Sequence, residues 1–179
     1  MDNRESDYRC FLEGDRAAFD AIVTEHRLGL IFFINRFVRD PDTAEDIAID
    51  VFVYVLLHPR RYNFKTSLKT YLYMLARSRA LDWLRRQKAF PTEPLPGHYP
   101  AQAELEEQVL RDERARALHR ALGDLTADMQ QAVHLVYFDG FSYAQAGQIM
   151  KKSPKQIDNL LSRAKTALRT ALRKEGMQF

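Results

Sequence analysis

The residues best able to do chemistry lie in the segment RRYNFKT, residues 60–66, where cations stand beside aromatic side chains. Arginine and lysine can follow nucleic-acid phosphates, and aromatic rings can receive bases that have left the stack. Such stacking contributes about 1–3 kcal/mol per base, which can compensate for unstacking. The segment is therefore a candidate surface for a single strand. The alternative is that Tyr62 and Phe64 pack beneath the loop.

Charge is distributed unevenly along the chain, although the net charge is only +3. Residues 59–88 contain nine Lys/Arg and one acid, and residues 142–174 contain eight Lys/Arg and one acid. Residues 40–50 instead contain five carboxylates and no base. This pattern predicts two surfaces facing polyanions and one facing a different partner. In the first basic segment, four arginines are candidate phosphate contacts: Arg77, Arg79, Arg85 and Arg86.

The second basic segment contains SPKQIDNLLSRAK, which begins at Ser153. Ser153 and Gln156 form an S-x-x-Q capping box, and Pro154 occupies the first helical position, where its missing N–H costs no hydrogen bond. Apolar residues then recur at helical spacing on one face, and the opposite face is polar and basic. Gly176 is the predicted stop signal.

The acidic segment offers three carboxylates, Glu45, Asp46 and Asp50, near one side of a predicted helix. They are suited to a basic partner. Asp46 and Asp50 at i, i+4 could alternatively begin a metal site, but hard cations need more oxygen ligands than this pair supplies. The histidines show no ligand spacing, and we find no nucleophile motif or glycine-rich phosphate loop. We expect no cofactor, no metal and no enzymatic activity.

Other features restrict the class of protein. Cys10 is the sole cysteine, so a disulfide framework within the chain is excluded. The N-terminus is charged from its second residue, unlike a signal peptide, and the apolar runs 28–34 and 51–57 are too short to span a bilayer. We therefore expect a soluble cytoplasmic protein without membrane insertion.

Four prolines in residues 91–100 divide the chain. This density predicts a linker rather than a helix. We predict an all-α fold with an N-terminal domain, residues 1–88, a proline-rich linker, residues 89–102, and a C-terminal domain, residues 103–179.

The N-terminal domain is predicted to be helical throughout. Asp15 can cap a long helix that reaches Phe37, and an Asp42–Glu45 box can open a second helix over residues 44–57. Thr66 or Ser67 can cap a third helix that runs to about Arg86.

The C-terminal domain is predicted to contain a helix-turn-helix. A charged helix over residues 103–122 and a second helix ended by Gly140 come first. Another S-x-x-Q box, Ser142 to Gln145, opens a short helix, and a turn of three or four residues precedes the helix at Pro154. Two capped helices with a tight turn and a basic outer face fit a DNA major groove.

These segments resemble a known family. GFSYAQAGQIMKKSPKQIDNLLSRAKTALR, residues 140–169, resembles the promoter-binding domain of bacterial sigma factors of the extracytoplasmic-function group. DPDTAEDIAIDVFVYV resembles the helix with which these factors bind core RNA polymerase, and TYLYMLARSRALDWLRRQ resembles the helix that engages the −10 element. The chain departs from the family pattern at Ile49, Ser78, Arg79 and Tyr71.

The resemblance implies a sigma factor that binds core RNA polymerase, confers promoter specificity and assists opening of the −10 region. It implies three sets of contact residues. The core polymerase set is Glu45, Asp46, Asp50 and Phe52. The −10 set is Arg60, Arg61, Tyr62, Asn63, Phe64, Lys65, Tyr71, Arg77, Ser78, Arg79, Arg85 and Arg86. The −35 set is Lys151, Lys152, Lys155, Gln156, Asn159, Ser162, Arg163, Lys165 and Arg169.

Within the last set, Lys155, Asn159 and Ser162 are the candidates for reading bases, because they lie early on the outward face. Arg163, Lys165 and Arg169 are better placed for the backbone. The partners implied by the resemblance are core RNA polymerase, promoter DNA and an anti-sigma factor.

Two alternatives remain. A stand-alone helix-turn-helix regulator with a helical sensor or dimerisation domain would share the C-terminal domain, but it leaves the acidic segment unexplained. An all-α metal-dependent nucleotide hydrolase could use Glu104 and Glu107 as an E-x-x-E pair, but no second carboxylate pair follows it.

Overall fold

A computed structural model describes residues 3–89 and 113–174, and every regular element within these ranges is helical. Residue contacts divide the chain into two compact units, one containing residues 3–89 and the other containing most of 113–174. The predicted all-α fold with two helical domains is confirmed.

The first unit contains four helices: α1 (Asn3–Leu12), α2 (Arg16–Val38), α3 (Pro41–Leu57) and α4 (Leu68–Ala89), with a 3₁₀ turn at Pro59–Arg61. Its core is built by apolar faces of α2, α3 and α4, including the fully buried Leu30, Val51 and Leu72. Helices α2 and α4 approach closely at Gly29, where an added Cβ would lie 2.8 Å from the Tyr73 hydroxyl.

Capping contacts define where these helices begin. Asp15 accepts hydrogen bonds from Ala17 and Ala18 N–H at 2.9 and 3.4 Å, which confirms its predicted role. The Asp42–Glu45 box was wrong, because Asp40 caps α3 and accepts from Thr43 N–H at 3.2 Å. Pro41 explains the earlier start, since its fixed φ suits the first helical position.

Ser67 caps α4, since its Oγ accepts from Thr70 N–H at 3.2 Å. Helix α4 runs to Ala89, three residues beyond the predicted end near Arg86. Helix α1, whose bounds were not predicted, ends before Gly14, a residue with a φ of +102°.

Residues 113–174 contain α5 (Glu113–Gly123), α6 (Ala127–Val133), α7 (Tyr143–Met150) and α8 (Pro154–Lys174), and all but residues 148–151 belong to the second unit. Helix α6 continues into a π-helical turn, His134–Phe138, and Gly140 follows its C-cap residue with a φ of +72°, which confirms the predicted stop at this glycine. Helix α8 packs on α5, with Leu172 buried against Ala117 and Ala121.

The two capping boxes predicted for the helix-turn-helix are confirmed. Ser142 N–H donates to Gln145 Oε1 at 2.9 Å, and Gln145 N–H donates to Ser142 Oγ at 3.3 Å. Ser153 N–H donates to Gln156 Oε1 at 2.8 Å, and Gln156 N–H donates to Ser153 Oγ at 3.2 Å. The caps and the three residues between α7 and α8 form the predicted helix-turn-helix.

Four predictions fall on residues outside the described ranges: the part of the linker that follows Ala89, the start of the helix over 103–122, the Glu104–Glu107 pair of the hydrolase alternative, and the stop at Gly176. None of the helices in residues 3–89 and 113–174 combines the length and apolar character needed to cross a membrane.

Candidate nucleic-acid interfaces

The loop between the 3₁₀ turn and α4 is organised by its own side chains. Tyr62 is 3% exposed, and its hydroxyl donates to the Thr66 carbonyl oxygen at 2.7 Å. Asn63 Oδ1 accepts from Lys65 N–H at 3.1 Å. Phe64 lies between these contacts with a φ of +59°, a left-handed conformation that costs an aromatic residue about 1–3 kcal/mol. The surrounding contacts hold Phe64 in this strained conformation.

An aromatic cluster supports the loop from below. Tyr62 lies 4.6 Å from Phe64, 5.1 Å from Tyr71 and 4.9 Å from Tyr8, measured between ring centroids. Tyr8, on α1, is fully buried. The ring of Tyr62 is therefore enclosed by protein, whereas Phe64 stays partly exposed. The alternative prediction, that the ring packs beneath the loop, is correct for Tyr62. Phe64 is the aromatic side chain of the loop whose ring a base could contact.

The cations of the loop point outward. Arg60, Arg61 and Lys65 are exposed, as is Asn63. The loop thus surrounds a partly exposed ring with positive charge, an arrangement suited to a single strand whose phosphates and bases both need partners.

Helix α4 continues this surface. Ser78 is exposed, and Arg79 stacks on the ring of Tyr54 of α3, with its guanidinium carbon 4.9 Å from the ring centroid. The Arg79 Nε atom is buried without a hydrogen-bond partner. Tyr71 is half-buried, and burial is the main cause that raises its pKa, with Tyr54 adding to the effect and the charges of Arg61 and Arg79 opposing it.

The remaining arginines of α4 differ in availability. Arg77 is partly buried, Arg86 is exposed, and Arg85 forms an ion pair with Asp82. Since this pair is largely exposed to solvent, it is weak and leaves Arg85 able to exchange its partner for a phosphate.

The recognition helix α8 separates a buried from an exposed face. Ile157, Leu161 and Ala164 are buried. The predicted contact residues of α8 are all exposed: Lys155, Gln156, Asn159, Ser162, Arg163, Lys165 and Arg169. Gln156 differs from the others because its side-chain oxygen is held by the capping box. The geometry leaves Lys155, Asn159 and Ser162 on the first turns of the exposed face.

Two lysines near this helix have partners within the chain. Lys152 Nζ lies 3.0 Å from Asp128 Oδ2. Lys165 Nζ lies 5.5 Å from the ring centroid of Tyr137, and the hydrogen bond with that phenol raises the pKa of Lys165. Lys151 is exposed in the turn and has a left-handed φ of +56°. Of the two lysines in the turn, Lys151 is therefore more available to an external phosphate than Lys152.

A different surface is formed on α3. Asp46 and Asp50 are exposed, and Ile49 (48% exposed) and Val53 (44% exposed) lie on the same side of the helix. We call these four residues the α3 stripe. Two carboxylates between exposed aliphatic side chains are suited to a partner that is basic and partly apolar.

The other two predicted polymerase contacts lie elsewhere. Phe52 is 6% exposed and belongs to the core. The Glu45 carboxylate forms an ion pair with Arg27 of α2. Phe52 holds α3 through the core, whereas the Glu45–Arg27 pair is partly exposed on both sides and adds little stability. Within the described ranges, no group of three or more His, Cys, Asp or Glu side chains could hold a metal ion.

Three residues of these surfaces were not predicted from the sequence: Tyr8 and Arg9 of α1, and the exposed Val53. Tyr8 and Arg9 could have been found from the sequence DYRCF, where an aromatic and a basic residue stand side by side ahead of the turn at Gly14. Val53 could have been found from its spacing of four residues from Ile49.

Comparison with known proteins identifies the family. Residues 22–90 match the Sigma-70 region 2 model, and residues 115–168 match the Sigma-70 region 4 model. The chain is 30% identical over 165 residues to the ECF RNA polymerase sigma factor SigK of Mycolicibacterium vanbaalenii, covering 88% of this chain and 83% of that protein. It is 29% identical over 155 residues to SigM of Mycobacterium tuberculosis strain H37Rv, covering 87% and 77%.

Solved structures agree with the fold. CnrH in complex with the cytosolic domain of CnrY matches with a TM-score of 0.71 at 20% identity, over 97% of this chain and 99% of that chain. The sigma factor RpoE in complex with the anti-sigma factor NepR from Bartonella quintana matches with a TM-score of 0.65 at 22% identity, over 87% and 96%. From its two family regions and its relatives, the chain belongs to the extracytoplasmic-function (ECF) sigma factors of bacterial RNA polymerase.

Proposed function

We propose that the two units divide the work of a sigma factor between them. As a member of this family, the chain binds core RNA polymerase, confers promoter specificity and assists promoter opening. In our proposal residues 1–88 contact core polymerase and the −10 element, residues 103–179 contact the −35 element, and residues 89–102 link them. Neither unit needs high affinity alone, because tethering on polymerase raises the local concentration of each.

Helix α8 reads the −35 element in the major groove. Lys155, Asn159 and Ser162 are assigned to bases, and a good bidentate contact discriminates against a wrong base by about 1–3 kcal/mol. Phosphate contacts come from Lys151, Arg163, Lys165 and Arg169. Lys152 contacts phosphate and also holds the turn through its ion pair with Asp128. Gln156 orients the helix, because its side chain takes part in the capping box.

The loop at residues 60–65 and helix α4 receive the opened −10 strand. Phe64 is assigned to stacking, because its ring is the partly exposed one, and the buried Tyr62 supports the loop. Arg60, Arg61 and Lys65 follow phosphates around the ring, and Asn63 shapes the turn. On α4, Tyr71, Ser78 and Arg79 lie beside the strand, and phosphates are held by Arg77, Arg85 and Arg86.

The α3 stripe binds core polymerase. Asp46 and Asp50 meet basic residues, and Ile49 and Val53 supply the apolar contact. Ile49 stands where the family pattern carries a polar residue, so this chain relies more on apolar contact at that point. Phe52 contributes by holding α3 in the core, and Glu45 lies beside Arg27 of α2 as a further, partly exposed carboxylate of this helix.

The remaining parts of the proposal concern regulation and setting. Two of the structures that this chain resembles are complexes, of CnrH with the cytosolic domain of CnrY and of RpoE with the anti-sigma factor NepR. We propose an anti-sigma partner for this chain as well. Since its work is done on promoter DNA, we place it in the cytoplasm, and we assign it a binding role without catalysis.

The observation that carries the −35 assignment is the doubly capped helix-turn-helix with a polar and basic exposed face on α8. Run-off transcription on fragmented genomic DNA tests the whole proposal, with bacterial core polymerase plus or minus the chain. Discrete transcripts that require the chain support it, and their start sites locate both elements. Specific duplex binding without polymerase, and no dependent transcripts beside a working control sigma factor, would favour a stand-alone regulator.

A further inference from the structure

The loop of the proposed single-strand surface is held by a helix that precedes the segment matched to the family model. The region 2 match begins at residue 22, whereas α1 occupies Asn3–Leu12. The buried Tyr8 hydroxyl donates to the Pro59 carbonyl oxygen at 2.7 Å, and its ring meets Phe64 edge-on, with centroids 5.9 Å apart. Helix α1 is therefore part of the structure that positions this loop.

The next residue of α1 reaches the ring itself. The guanidinium carbon of Arg9 lies 4.4 Å from the Phe64 ring centroid, within the range of a cation–π contact. Arg9 is exposed, and Phe64 is partly exposed. An unstacked base approaching Phe64 thus meets a planar cation against the ring, and guanidinium planes stack with bases as aromatic rings do.

We propose that Arg9 is a further residue of the single-strand surface: a base that leaves the −10 stack packs on the Arg9–Phe64 pair, and the Arg9 charge attracts the neighbouring phosphate. This inference rests on the proposed role of the loop. It assigns a DNA contact to a helix outside the family match, and it makes Tyr8 a positioning residue that acts through the loop.

The test uses holoenzyme assembled from core polymerase and the full chain. The probe is a fluorescein-labelled single-stranded oligonucleotide carrying the non-template −10 segment of a promoter mapped by run-off transcription. We expect Arg9→Ala to weaken binding about 2- to 5-fold, the range for an exposed cation–π contact. Arg9→Lys keeps the charge without the plane and should fall between Arg9→Ala and the unaltered chain. Arg16→Ala removes an exposed arginine of the same unit that does not stack on Phe64, and it should bind as the unaltered chain does.

A double-mutant cycle separates contact from general charge. If Arg9 acts with Phe64, Arg9→Ala should cost less in a Phe64→Leu background than alone. Binding to duplex DNA carrying only the −35 element should be unchanged in every variant. Circular dichroism melting of each variant checks that the fold is intact, and Arg9→Gln replaces any Arg9→Ala protein that fails this check.

The outcomes distinguish this inference from the proposed function. If Phe64→Leu and Arg60→Ala weaken single-strand binding while the Arg9 variants do not, the role of Arg9 is refuted and the loop assignment stands. If Arg9→Ala strengthens binding, Arg9 is a cover that the base must displace, which also overturns the inference. If no loop variant has an effect, both the loop assignment and the role of Arg9 are wrong.

Discussion

Replacing Gly147 by alanine tests whether the helix-turn-helix is packed as tightly as the structure indicates. Gly147 is buried in α7, and an added Cβ would lie 2.6 Å from the carbonyl oxygen of Lys152 in the turn. That atom is backbone, so relief requires the turn to move. Overpacking of this kind costs about 1–3 kcal/mol, while the better helix propensity of alanine returns about 1 kcal/mol. Because the atom that must move is backbone, the upper part of the overpacking range applies, about 2–3 kcal/mol, and we expect a net loss of about 1–2 kcal/mol.

The assay is thermal unfolding together with amide hydrogen exchange of α7 and α8. A loss of 1 kcal/mol lowers the midpoint of a domain of about 60–100 residues by roughly 4–8 °C. We therefore expect a fall of about 4–16 °C in the second unit. Transcription from a −35-dependent promoter should also fall, because a displaced turn changes the angle at which α8 enters the groove.

Gly123→Ala is the matched control, because no atom lies within 4 Å of its added Cβ. Its stability should be equal to or above that of the unaltered chain, since only the helix propensity changes. If Gly147→Ala unfolds at the same temperature as this control, with unchanged exchange in α7 and α8, the close approach of the turn to Gly147 is refuted.

Five other substitutions provide four further tests. Ser153→Ala removes the acceptor for Gln156 N–H and should lower the free energy of unfolding by about 0.5–2 kcal/mol in urea titrations. Asp50→Lys reverses an exposed charge of the α3 stripe and should weaken core polymerase binding about 10-fold or more, measured by anisotropy of labelled chain, without changing thermal stability. Asn159→Ala should relax −35 sequence preference at a cost of about 1–3 kcal/mol, whereas Arg169→Ala should weaken all duplexes alike and reduce the salt slope by about 1. Burial, and to a smaller extent the neighbouring tyrosines, raise the pKa of Tyr8. Tyr8 therefore ionises at a lower pH in the unfolded chain than in the folded one, and the free energy of unfolding should fall as pH rises above about 10. Tyr8→Phe should lose this part of the pH dependence when urea midpoints are measured from about pH 8 to 11.

Each of these predictions has an outcome that contradicts it. An unchanged urea midpoint for Ser153→Ala would mean that the capping box contributes nothing to α8. Full polymerase affinity in Asp50→Lys would move the core contact away from the α3 stripe. Equal effects of Asn159→Ala and Arg169→Ala on every duplex would remove the distinction between base and phosphate contacts. A pH profile that is the same with and without the Tyr8 hydroxyl would assign the alkaline loss to other groups.

The starts of the DNA-binding helices were determined by the sequence alone. In each capping box, the serine and glutamine side chains accept hydrogen bonds from each other's backbone N–H groups: Ser142 with Gln145, and Ser153 with Gln156. Because the two residues are only three positions apart, the contact needs no other part of the chain. The outward face of α8 was equally predictable, because 3.6-residue periodicity separates its apolar from its basic residues. The start of α3 could also have been found locally, since Asp40 before Pro41 is a stronger signal than Asp42.

The availability of each site residue was decided by tertiary structure. The sequence could not tell that Glu45 pairs with Arg27 of α2, that Phe52 is buried, or that Tyr62 is enclosed while Phe64 stays partly exposed. Nor could it place Tyr8 on the carbonyl oxygen of Pro59, which is 51 positions away. The physical reason is that capping and helical periodicity act between neighbours in sequence, whereas burial, ion pairs between helices and ring contacts depend on which elements pack together.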